Sequence, residues 1–188
     1  MPTVEVSNIG CWRWTGTASV TTNSTAGYTT VESATATFDR YRLPGSMPED
    51  LVGVDAFKST NSGTANFTIN GLIGINCTIT GTGTGPLQGD GGFFADAGFI
   101  ASFRLPDPRL NRTAVGSGGT DIPYSTTTTC PGNPPETNSG RQTDRWFLLP
   151  EEGAVFSADG LNLVGQKQTT DSDGTKTSFW IFRALREE

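Results

Sequence analysis

The sequence predicts an all-β protein, an antiparallel β-sandwich of jelly-roll or immunoglobulin-like type built from about ten to twelve short strands. Three observations lead there. Apolar residues recur at period two along most of the chain, the spacing of half-buried strands. The composition fits: 29 Thr and 11 Phe favour strands, while 24 Gly and 11 Pro supply the turns between them. No segment sustains helical spacing. A closed β-barrel is the alternative fold, but long irregular stretches break the even strand rhythm that closure needs. With 188 residues and no shift in composition, the chain reads as one domain spanning 1–188.

The clearest strand runs from Cys11 to Thr21, with Trp12, Trp14, Ala18 and Val20 on one face and Arg13, Thr15, Thr17, Ser19 and Thr21 on the other. Clean polar alternation opposite the tryptophans points to core rather than to an exposed aromatic platform. An Asn-Ser-Thr-Ala-Gly turn at 23–27 leads to a second strand from Val31 to Tyr41, with Ala34, Ala36 and Phe38 facing inward. A loop at 43–50 precedes a short strand from Leu51 to Phe57. Two further alternating runs, 64–70 and 73–80, flank Asn70-Gly71, a hairpin signal.

Glycine-rich residues 81–92 read as a connecting loop. Gly92 to Leu105 is apolar on both faces, which predicts a central strand or a strand pair. Long loops are expected at 106–123 and 131–140. Order returns with short strands at 146–149 and 154–156. Residues 161–169 and 175–185 then flank Asp171-Ser172-Asp173-Gly174, a second hairpin. Phe179, Trp180, Ile181 and Phe182 make the last strand apolar on both faces, as a central strand should be.

Function is bounded mainly by exclusion. The chain has no His, which removes Ser-His-Asp and Cys-His nucleophiles, His-metal clusters and His-based proton transfer. A net charge of −6 argues against nucleic acid as a partner. No apolar run is long enough to span a membrane, so no membrane insertion is expected. Met1 to Val6 lacks the basic and apolar regions of a signal peptide. The glycine runs do not fit GxxxxGK[ST] and open no helix, so they are turns rather than phosphate cradles.

The remaining candidates are few. Cys11, Cys77 and Cys130 permit one disulfide, for which Cys77–Cys130 is the expected pair, with Cys11 free; three buried thiols are the alternative. Tyr41 with Arg42 beside it, and Tyr124 with Asp121, are the candidate ligand contacts. Ca2+ is the one cofactor with any signal, at Asp171 and Asp173. That segment has the start of a calcium loop but lacks its distal Glu, and turn chemistry alone accounts for it. Gly89-Asp90-Gly91 with Asp96 is a weaker second site. Sequons occur at Asn23, Asn66, Asn76 and Asn111. Arg141 and Arg145 read as ordinary surface charges.

These features suit a non-catalytic structural or interaction domain in an extracellular, cell-surface or virion-type assembly, its partner another protein or further copies of itself. A carbohydrate- or small-ligand-binding module is the alternative, and a hydrolase relying on carboxylates alone is a third. A broad apolar patch or an unpaired edge strand would favour assembly; a groove joining Tyr41 or Tyr124 to Asp and Asn would favour a ligand.

Overall fold

The computed structural model describes the backbone of residues 11–41, 55–59, 63–88, 91–96, 99–104, 119–143 and 154–186, with side chains over 13–40, 63–87, 122–142 and 154–185. Twelve strands occur among these residues and no helix: β1 Cys11–Ser24, β2 Tyr28–Tyr41, β3 Asp55–Ser59, β4 Thr64–Ile73, β5 Cys77–Gln88, β6 Gly91–Asp96, β7 Phe99–Arg104, β8 Gly119–Thr129, β9 Glu136–Thr143, β10 Ala154–Phe156, β11 Asn162–Asp171 and β12 Gly174–Arg186. The expected strands at 11–21 and 31–41 are present and longer, because Thr runs carry the pairing on to Asn23 and back to Thr29. Expected elements at 43–50 and 146–149 lie outside the described residues.

Nine antiparallel strands follow one another in a single sheet, in the order β10-β11-β12-β1-β2-β4-β5-β8-β9. Among the described residues the sheet does not close, since β9 and β10 each pair on one side only. The sheet also forks along β2: Tyr28 to Ala34 pair with β4, while Phe38 to Tyr41 pair with β3, which continues into β6 and β7.

Antiparallel partners share a face, so the registers define one inner surface. Trp14 stands opposite Phe38 and Ala184, Gly16 opposite Ala36 and Phe182, and Ala18 opposite Ala34 and Trp180. Trp14, Phe38, Trp180, Phe182, Leu163 and Ile122 are the largest fully buried side chains and form the core with the alanines between them. Small residues on β1 let rings from its two neighbours meet above it: Phe38 and Phe182 pack edge to face with centroids 5.4 Å apart. Both wings curl toward this surface. Trp14 reaches Phe156, three strands away, at 5.7 Å between ring centroids. On the other side, Gln142 Nε2 of β9 donates to Glu32 Oε1 of β2 at 3.2 Å. In a flat sheet those strands would stand four steps of about 4.8 Å apart. Burial of Glu32, at 5% exposure, was not legible in the sequence.

Four expectations need correcting. Residues 81–92 are not a loop, for β5 runs through Gln88 with Gly81, Gly83 and Gly85 facing inward and Thr80, Thr82 and Thr84 outward. The period of two is intact; glycine takes the place of the inward apolar residue. It has to, because a Cβ on Gly83 would lie 2.6 Å from the Tyr124 Cβ and one on Gly81 2.7 Å from Thr126 Cγ2. Residues 131–140 likewise contain β9 from Glu136 onward, and β8 begins at Gly119 inside the stretch expected as loop 106–123. The first hairpin turns at 74–76 rather than at Asn70-Gly71, with Gly74 and Asn76 left-handed at φ 57° and 66°. Gly71 lies within β4 at φ 152°, pressed against Tyr28, where a side chain has no room.

Candidate functional site

Among the residues singled out from the sequence, the described side chains of Tyr124 and Asp171 are each engaged within their own part of the fold. Tyr124 is on β8 and points inward, where its ring stacks obliquely on Phe67 at 4.7 Å and joins the core. Its place above Gly83 and Gly140 accounts for the tyrosine without a ligand, since a Cβ on Gly140 would touch the phenol at 2.5 Å. Tyr41 ends β2 and Asp121 lies near the start of β8, and neither side chain is among those described. Arg42, Asp90, Asn111 and Arg145 lie outside the described residues, as does the side chain of Asp96.

Asp171 is engaged in its own turn. Its Oδ1 accepts from the backbone N–H of Asp173 at 2.8 Å and of Gly174 at 3.2 Å, an Asx turn closing the β11–β12 hairpin. The Asp173 carbonyl accepts in turn from the Thr25 N–H at 3.0 Å, latching this tip to the β1–β2 turn. Among the described residues no group of three or more His, Cys, Asp or Glu is placed to hold a metal ion. No helix among them is long and apolar enough to cross a membrane.

Cys77 and Cys130 form a disulfide between the start of β5 and the residue after β8, with Cα atoms 4.2 Å apart. The bond ties the open ends of two paired strands. Asn23, Asn66 and Asn76 are all exposed.

A surface the sequence did not mark is on the opposite face. Phe179, Ile181 and Leu185 project outward from β12 and are 42%, 44% and 42% exposed. Ile181 stands directly opposite Val164 on β11, and Val164 opposite Val155 on β10. Those two valines are 37% and 60% exposed. A continuous apolar strip therefore crosses three strands and reaches the free edge of β10. Its surroundings are polar and partly charged: Ser19 and Thr17 of β1, Gln166 and Asn162 of β11, Arg183 between Ile181 and Leu185, and Arg13 opposite Leu185. Apolar centre and polar rim are the anatomy of a protein contact.

The last strand's two apolar faces were the available signal: β12 is the central strand they predict, paired with β11 and β1 on either side, yet one of those faces stays partly exposed. Trp180 and Phe182 are buried as expected, but among the described residues nothing covers Phe179 and Ile181. Period-two reading says which residues share a face; it does not say whether a second layer lies over that face.

The outer face of the other wing is different. Thr68, Thr82, Ser125 and Ser139 form one row across β4, β5, β8 and β9, and Asn70, Thr80, Thr127 and Thr137 form the next. The Thr127 and Thr137 hydroxyls pair at 3.5 Å. The curl of the sheet makes this face convex, so its hydroxyls form a hydrated coat, not a groove.

No protein-family model matches the chain, and no curated protein or solved structure is significantly similar to it. Function therefore rests on the surface chemistry.

Proposed function

We propose that the chain is a non-catalytic interaction domain that assembles with further copies through the outward strip of Val155, Val164, Phe179, Ile181 and Leu185. The observation that carries this reading is the contiguity of Val155, Val164 and Ile181 along one rung with Phe179 on the next, Leu185 lying beyond Arg183. Single exposed apolar residues are ordinary, whereas a patch that runs unbroken across three strands to a sheet edge is the usual mark of a contact surface. The fork at β2, which gives one strand two different partners along its length, supports a two-layered sandwich in which β3, β6 and β7 begin the second layer. The Cys77–Cys130 bond supports an oxidising, extracellular or surface-exposed setting.

Tyr124 is half-buried against Phe67 and Asp171 is engaged in its turn, so neither adds support to the carbohydrate or calcium readings. Light scattering over a hundredfold range of concentration tests the proposal. Mean particle mass is expected to rise with concentration; a single-chain mass throughout would refute self-assembly.

A further inference from the structure

We propose that the assembly runs head to tail, the strip of one copy receiving the hairpin tips that stand at the opposite end of the next. This rests on the assembly reading above. The hairpins β11–β12, β1–β2 and β4–β5 turn side by side at one end of the sheet. Backbone bonds fasten their tips together, the Thr25 N–H donating to the Asp173 carbonyl and the Leu72 N–H to the Gly27 carbonyl, each at 3.0 Å. The strip lies away from this end. Ile181 is seven residues along β12 from Gly174 at its tip, about 24 Å of strand.

The seven large apolar side chains exposed among the described residues occupy these two surfaces and no other. Five make the strip, while Leu72, 55% exposed, and Ile75, 91% exposed, stand on the tips. Gly74 and Asn76 are both left-handed and hold Ile75 at the apex of its turn. Charge divides the same way. Arg183 stands between Ile181 and Leu185 in the strip. The tips carry Asp171 and Asp173, both exposed, with Lys176 two residues past the turn on the inner face.

A strip meeting a second strip about a twofold axis would bring two Arg183 side chains to one surface, where the described carboxylate nearby, Asp39, is held by Arg13 at 2.6 Å. Desolvating those cations without a partner opposes such a contact. Against the tips, apolar meets apolar and the cation meets carboxylates. Because strip and tips belong to opposite ends of one chain, each added copy leaves one of each free. The product is a filament or a ring, not a closed pair.

Complementation by sedimentation velocity on the full chain tests the inference. Ile181→Asp disables the strip and Ile75→Lys the tip, and each variant alone is expected to stay at the single-chain mass. Mixed in equal amounts, they should form pairs of two chains and nothing larger, since one intact strip and one intact tip remain. The wild type should pass beyond two chains. An Ile75→Lys variant that assembles like the wild type, or a mixture that forms no pairs, would overturn the head-to-tail arrangement and leave the strip's own role to Ile181→Asp. A wild type at the single-chain mass at every concentration would overturn the assembly reading as well.

Discussion

The two wings of the sheet solve the same packing problem with opposite materials. From β10 to β1 the inner face is filled by Trp14, Phe156, Leu163, Trp180 and Phe182, and the outer face carries the exposed apolar strip. From β4 to β9 the inner face sets Ala65, Phe67, Leu87 and Ile122 around a floor of Gly81, Gly83 and Gly140, and the outer face is mostly Thr, Ser and Asn with the single exposed Leu72 near the turn. One wing is held by what its side chains bury. The other adds to a smaller buried set (Ala65, Phe67, Leu87 and Ile122) close backbone approach, the Phe67–Tyr124 pair above its glycines and a disulfide at its end. The apolar strip is the surface we propose for assembly.

Substitutions at four positions would break or sharpen this contrast. The largest expected loss of stability is from Phe182→Ala, which removes a fully buried ring in contact with Phe38 and leaves a cavity; denaturant unfolding should register about 3–5 kcal/mol. A loss below about 1 kcal/mol would mean that the ring-filled wing is not the stabilising centre.

Cys130→Ser comes next. The bond closes a separation of 53 residues, and its removal should cost about 2–4 kcal/mol. Hydrogen exchange should rise in β5 and β8 before it rises in β1 and β12, and equal rises in both wings would erase the distinction between them. Thiol titration of the unfolded, unreduced chain should find one free thiol, that of Cys11; three would reject the bond.

Gly83→Ala adds the smallest possible side chain, yet its Cβ would stand 2.6 Å from the Tyr124 Cβ. Overpacking of about 1–3 kcal/mol is expected by thermal unfolding, with loss of the native near-ultraviolet signal of Tyr124. An unchanged melting temperature would show that the glycine floor is incidental.

Much of this architecture is legible in the residues themselves. Trp14, Ala18, Val20, Ala34, Ala36 and Phe38 alternate against Thr and Ser, and they face inward together. The Asp171-to-Gly174 turn follows from Asx chemistry, and Cys77–Cys130 was the expected pair. β5 was hidden because glycine at its inward positions mimics a loop, and β9 because Thr, Asn, Ser and Gly alternate no hydrophobicity at all. Glu32 and Gln142 meet only through the curl of the sheet, which no local pattern encodes. The strip was hidden for a different reason. Phe179 and Ile181 look in sequence like Trp180 and Phe182, and only the absence of a covering layer among the described residues separates them.

The smallest expected effect on stability belongs to Ile181→Asp, within about 0.5 kcal/mol because the side chain already faces water. The same substitution should have the largest effect on association, and it tests the central claim most directly. Sedimentation velocity of the wild type and Ile181→Asp, run side by side from low to high concentration, should show a sedimentation coefficient that rises for the wild type and stays at the single-chain value for the variant. Identical behaviour of the two proteins, whether both assemble or both remain single, would contradict the assignment of the strip as the surface through which this domain assembles.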